Sequence, residues 1–210
     1  MEIKNAKIEA FLKSFTFSLL LCMFWSYFCI TGVKSLIEKF DFVQLLWLTY
    51  NIIISLLFLI RTRPAVVSTN PLHWIVALAT SFSGFFFSKI DIIHNSNYLI
   101  FLNVLLTCAI LLGIITAIIL GKSYDFLPAL REVKIKYVYN LIRHPMYLSS
   151  IIIKIVYTSK NPLPYNIILL VVIIFLYDKR TKYEEEILSK DISYIEYMQK
   201  VKYRFIPGIY

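Results

Sequence analysis

Residues 98–120 read YLIFLNVLLTCAILLGIITAIIL, 23 positions without a single Asp, Glu, Lys or Arg. An α-helix needs about 20 apolar residues to cross the hydrocarbon core of a bilayer, and only such self-satisfied backbone is tolerated there. Three further charge-free stretches, 15–33, 42–60 and 72–88, run 19, 19 and 17 residues. Across all 210 residues the chain is 59% hydrophobic and 17% charged, with a mean hydropathy of +0.69. A soluble domain of this length carries far more polar surface. The expected fold is therefore all-α: a polytopic membrane protein with four full transmembrane helices and, beyond them, a C-terminal helical hairpin. The first span is read as a retained helix, since its apolar run exceeds the roughly 7–15 residues of a signal peptide and no small-residue cleavage site follows.

The formal charge of +9 invites a nucleic-acid reading, but the positions of the charges oppose it. Of 22 Lys and Arg, three precede the first span, two lie in 61–71, five in 121–147 and seven after Tyr177. The loops on the opposite face hold only Lys34, Lys39 and Lys89. That asymmetry follows the positive-inside rule. It places both termini in the cytoplasm and residues 34–41 and 89–97 on the far face. The basic charge is thus topological, with attraction to anionic headgroups added, and the expected partner is the lipid bilayer rather than nucleic acid. Cys22, Cys29 and Cys108 all sit within apolar spans, and no CxxC pair or Cys/His cluster exists, so neither a metal site nor a disulfide is expected.

The chain divides into a scaffold, 1–120, and a chemically richer part, 121–210. Gln44, Asn51 and Asn103 are the conspicuous polar residues of the scaffold, and the expected role of each is a hydrogen bond between helices. In the second part, 121–147 is long, basic and aromatic. Two short apolar runs follow, 148–157 and 165–177, separated by SKNPLP, a turn signature. A hairpin that enters from the cytoplasm and returns to it fits this pattern, its second arm continuing as a charged helix through Ser189.

Two clusters bracket that hairpin. At its entry stands RHPMY, residues 143–147. Proline suits the first helical turn and pushes its predecessor to extended backbone, so His144 falls near the N-cap with Tyr147 about one turn on. Such a terminus can serve an anion; equally, Arg143, His144 and Tyr147 can be interfacial anchors. At the exit stands RTKYEEE, residues 180–186, with Arg180 and Glu184 one helical turn apart. Either this is a solvated ion pair, or carboxylates beside a negative leaflet hold a cation. Antiparallel arms bring the two clusters together. A site of cations, carboxylates and a helix terminus suits a zwitterionic ligand carrying a carboxylate and an amine or sulfonium.

These residues also carry a resemblance. LGKSY at 120–124, PALRE at 128–132, RHPMY at 143–147, EExxL at 184–188, the tyrosines of a YxxY pair at 194 and 197, and YRFIPG at 203–208 resemble, in order, the isoprenylcysteine carboxyl methyltransferase superfamily, which includes phospholipid methyltransferases. The resemblance covers the last 90 residues, and the scaffold matches only as a generic helical bundle. It implies S-adenosylmethionine as cofactor, bound on the cytoplasmic side by Arg131, Glu132, Val133, Lys134, Tyr139, His144, Pro145, Met146, Tyr147 and Glu184. Arg180 would act as the catalytic and substrate-binding residue that holds the acceptor near the sulfonium. The acceptor implied is an amphiphile or lipid-linked group, with carboxylate O-methylation favoured over amine N-methylation. The sequence departs from the family pattern at Lys136-Tyr137, where a Gly is usual, and before the tyrosine pair, where a Phe-Gly is absent from what reads as a surface segment. Methyl transfer of this kind rests on alignment and water exclusion. A sterol-reductase-like oxidoreductase and a non-enzymatic transport or assembly protein are the alternatives. The sequence leaves the oligomeric state and the acceptor's identity open.

Overall fold

The computed structural model describes residues 2–90 and 95–209, with side chains from residue 6 onward. The loop at 89–97 therefore falls partly outside the described residues. A short helix α1 (Glu2–Leu12), absent from the sequence expectation, precedes α2 (Phe15–Glu38) and α3 (Phe42–Ile60). Both α2 and α3 start where a side chain can accept orphan N–H groups. Ser14 Oγ accepts from the Phe17 amide at 3.1 Å, and Asp41 Oδ1 accepts from Val43 and Gln44 at 2.7 and 3.0 Å.

Among the described residues, three helices are long and apolar enough to cross a membrane: α2, α3 and α5 (Ser96–Leu120), the last extended by a 3-10 turn. Along α2 only Ser18 and Cys22 are buried. Its remaining face presents Leu20, Met23, Phe24 and Tyr27 outward, which water would not support and lipid does.

The fourth charge-free stretch forms a shorter element than expected. Helix α4 (Pro71–Phe82) starts at the Asn70 cap with Pro71 in its first turn, then tightens into a 3-10 turn over Ser83–Phe86. Thr80 Oγ1 and Ser83 Oγ bond back to carbonyls at Val76 and Thr80, satisfying polar groups at that end. Twelve α-helical residues rise about 18 Å, short of a full crossing.

Polar residues inside the scaffold tie helices together, as the sequence suggested. Trp25 Nε1 donates to Asn51 Oδ1 at 3.1 Å, Ser35 Oγ to Gln44 Oε1 at 3.1 Å, and Lys160 Nζ to Asn103 Oδ1 at 2.6 Å. The three cysteines are free.

The hairpin is α6 (Pro145–Lys160) and α7 (Pro164–Leu188), joined at Asn161–Leu163. The α6 arm packs chiefly on α5, and the α7 arm on α4, more than on each other. Gly113 explains the first contact: a Cβ there would meet Ser149 Oγ at 2.8 Å and the Tyr50 ring at 3.3 Å. Its absence lets Ser149 Oγ donate to the Ala109 carbonyl at 2.7 Å, a small-residue crossing of the kind lipid-embedded helices favour.

Before the hairpin, a two-residue strand β2 (Ala129–Leu130) pairs antiparallel with β1 (Val66–Val67). This tie between loops was not expected. A buried trio locks it: Asp125 accepts from Arg61 Nη1 at 2.6 Å and from Arg131 Nη2 at 2.7 Å. After the hairpin, α8 (Ile192–Lys200) is capped by Asp191, and the chain then returns across the hairpin entry.

Tyr137 takes φ +56°, the one non-glycine residue with positive φ among the described residues. A left-handed non-glycine residue costs about 1–2 kcal/mol, and the 74%-exposed ring returns little packing. Glycine costs about 0.5–1 kcal/mol through the unfolded chain. Tyr137→Gly is therefore expected to raise stability by about 0.5–1 kcal/mol, read as a higher thermal unfolding midpoint in detergent.

Candidate functional site

Four elements meet at the hairpin entry: the basic loop, the first turn of α6, the second half of α7, and α8 with the tail that follows it. His144 is the N-cap residue of α6 with Pro145 at the next position, as the RHPMY reading expected. The amides of Arg143 and His144 are taken by the carbonyls of Tyr203 and Arg204 at 2.9 and 3.0 Å, so the tail pairs with the entry segment.

Glu185 is the buried hub of this arrangement. It accepts from Arg143 Nε at 2.8 Å, shares a hydrogen bond with His144 Nε2 at 3.0 Å, and accepts from Arg204 at 2.6 and 3.0 Å. Burial alone would raise its carboxyl pKa; the hydrogen bonds from His144, Arg204 and Arg143 outweigh that and hold it well below the usual carboxylate range. Arg143 also donates to the Val201 and Lys202 carbonyls at 2.8 and 2.7 Å. This carboxylate is saturated and joins three chain segments.

Glu184 is its opposite. Its side chain is 29% exposed, lines a cavity, and accepts one hydrogen bond, from Tyr147 Oη at 2.6 Å. Of two adjacent carboxylates, one holds the fold and the other is open to a ligand.

The cavity has a volume of about 210 Å³. Of the residues proposed for cofactor binding, Arg131, Glu132, Val133, Lys134, Tyr139, His144, Met146, Tyr147 and Glu184 line it. Pro145 does not; it is fully buried behind the wall. Arg131 is committed to Asp125 and Glu132 pairs with Lys134 at 2.6 Å, so these two form wall rather than unpartnered charge. Val133 packs against the Tyr194 and Tyr197 cluster.

Arg180 also lines the cavity, but with partners different from those expected. It makes no ion pair with Glu184. Its guanidinium donates to Thr80 Oγ1 at 2.8 Å, Ser81 Oγ at 3.0 Å, the Ala77 carbonyl at 3.3 Å and the Phe126 carbonyl at 2.9 Å. It lies 4.8 Å from the Tyr147 ring centroid. The i,i+4 spacing describes an isolated helix; here α4 supplies neutral acceptors that hold the cation in place without neutralising it.

The sequence reading missed two parts of the wall. Trp25, Trp47, Tyr50 and Asn51 enter from the scaffold, which therefore does more than anchor. Tyr194 and Tyr197 belong to a buried layer, although the segment just before them, 190–193, lies at the surface as expected. Tyr197 Oη donates to the Tyr139 carbonyl at 2.6 Å. Tyr194 lines the cavity at 3% exposure, and its hydroxyl has no hydrogen-bond partner among the described residues. Burial pushes that hydroxyl's pKa up, so it remains a donor. The i,i+3 spacing of two tyrosines in a charged helix was the available signal.

No protein-family model matches the chain, and no curated protein is detectably similar to it.

Proposed function

We propose that this protein is an integral membrane methyltransferase that uses S-adenosylmethionine on an amphiphilic acceptor. The observation that carries the reading is the convergence of nine of the ten residues expected to bind the donor, and of Arg180, on one cavity with an accessible carboxylate, Glu184. The order of those motifs supports the family resemblance, and the unpartnered Tyr194 hydroxyl fits a cavity awaiting a polar ligand.

When bound, S-adenosylmethionine supplies a methyl group on a sulfonium, which an acceptor oxygen takes by in-line displacement. Glu184, with Tyr147, would hold the donor's ammonium. The aromatic faces of Tyr139, Tyr147 and Tyr50 suit a purine or a sulfonium. Arg180 would orient an anionic acceptor, and the scaffold tryptophans would exclude water. The dinucleotide alternative has less support, because Arg131 and Arg143, candidate phosphate ligands, are already paired with Asp125 and Glu185.

The same proposal puts both termini and the cavity on the cytoplasmic side, following the Lys and Arg asymmetry.

The test is Glu184→Gln. Because this side chain is partly exposed and accepts a single hydrogen bond, stability should change by no more than about 1 kcal/mol. Equilibrium binding of S-adenosylmethionine should weaken about tenfold or more, as the loss of one charge-assisted contact implies. Unchanged donor affinity would remove Glu184 from the site.

A further inference from the structure

A second cavity, about 780 Å³, lies among α2, α3, α4, α5 and α6. Its wall is mostly apolar: Phe28, Phe82, Phe85, Leu106, Ile110 and Ile153 among others. Trp25, Trp47, Asn51, Ser81 and Lys154 belong to the walls of both this cavity and the smaller polar one, so the two adjoin there.

Lys154 is the unusual member of that shared boundary. Nine residues beyond Pro145 on α6, it lies about 13–14 Å from the helix start, close to half the thickness of a hydrocarbon core. Its Nζ donates to Tyr177 Oη at 3.2 Å and to the Ser150 carbonyl at 3.5 Å, and sits 5.2 Å from the Tyr177 ring centroid. It forms no ion pair among the described residues. Tyr177 Oη donates a hydrogen bond to the Thr80 carbonyl at 3.3 Å, and Thr80 Oγ1 accepts from Arg180. Two cations, Lys154 and Arg180, thus flank Tyr177 and Thr80 with neutral partners only.

An intramembrane lysine without a carboxylate is costly unless something compensates it, and such residues mark binding sites. Lys160 and Lys89 also reach the larger cavity, but Lys160 belongs to the last turn of α6 and Lys89 to the loop after α4, where long cationic side chains extend to the interface. Lys154, in mid-helix, has no such outlet.

We propose that Lys154 binds the anionic head of a single-chain amphiphile whose apolar chain fills the larger cavity. A carboxylate at the shared boundary would neutralise the ammonium, lie toward Arg180, and leave the chain among Phe, Leu and Ile side chains. This takes from the functional reading only that the acceptor is amphiphilic, and its test uses no methyl donor, so either can fail without the other.

The test uses dibromostearate and its uncharged methyl ester as quenchers of Trp25 and Trp47 fluorescence in purified full-length protein in detergent. Wild type should bind the carboxylate about tenfold more tightly than the ester, as a charge-assisted hydrogen bond implies. Lys154→Met should abolish that preference while leaving ester binding unchanged, and Lys154→Arg should retain most of it. If Lys154→Met does not fold, Lys154→Gln gives the same comparison with a polar isostere. Equal binding of acid and ester by wild type, or a preference that survives loss of the charge, would overturn the proposal.

Discussion

Glu185→Ala is expected to destabilise the protein by about 3–5 kcal/mol, the range for removing one partner of a buried ion pair. The substitution takes from Arg143 its carboxylate, from Arg204 its nearest one, and deprives His144 Nε2 of its hydrogen-bond partner. It also unties the entry of α6 from the tail at 203–204, since the same carboxylate holds both sides. The effect should appear as a large drop in the thermal unfolding midpoint and early proteolysis of the C-terminal segment. Glu184→Gln, one residue away, should show neither. Because the folded-state pKa of Glu185 is depressed, its contribution is complete above the unfolded carboxyl value of about 4.3 and declines as pH falls below it. Acid should therefore destabilise wild type more steeply than Glu185→Ala. A midpoint for Glu185→Ala close to that of wild type would show that the hub is not structural.

Arg180→Lys should lower methyl transfer by a factor on the order of 100, the scale expected when a positioning group is displaced by about 1 Å. A guanidinium can address Thr80, Ser81, Ala77 and Phe126 at once; an ammonium on a flexible stem keeps the charge but not the fork. Arg180→Ala is the poorer test, because it also leaves buried α4 oxygens unpartnered and costs stability. Donor affinity in Arg180→Lys should stay within about threefold of wild type if alignment alone is lost. Transfer of labelled methyl into the organic-soluble fraction of membranes, beside donor binding, separates the two effects. Equal losses in both would mean that one site serves donor and acceptor together. His144→Ala cannot make this distinction, since His144 is bound into the Glu185 hub.

Much of this architecture is legible in the sequence because bilayer thickness imposes a length on apolar runs, and 98–120 satisfies it without ambiguity. The pairing of RHPMY with the EE segment is legible too, because a hairpin with antiparallel arms must return its exit to its entry; Tyr147 and Glu184 meet across 37 positions for that reason. What escapes is whatever depends on a third element. Local spacing pairs Arg180 with Glu184, whereas α4, about 100 positions away, supplies the acceptors that win. Three consecutive glutamates look equivalent until the tail at 203–204 reaches one of them. The i,i+3 spacing puts Tyr194 and Tyr197 on one face of α8, but what buries that face is the basic loop, through Val133 and Tyr139, which spacing does not show. The shortness of α4 follows from the Thr80–Ser83 hydroxyl bonds and the 3-10 turn, neither visible in hydropathy. Lys154 lies inside a run that reads as apolar, and only the two cavities give it a role.

The most direct test of the account is isothermal titration of purified full-length protein with S-adenosylmethionine in the absence of any acceptor. The account predicts saturable binding at one site per chain, weakened about tenfold or more in Glu184→Gln and preserved in Arg180→Lys. Folded wild-type protein that takes up no S-adenosylmethionine would contradict it.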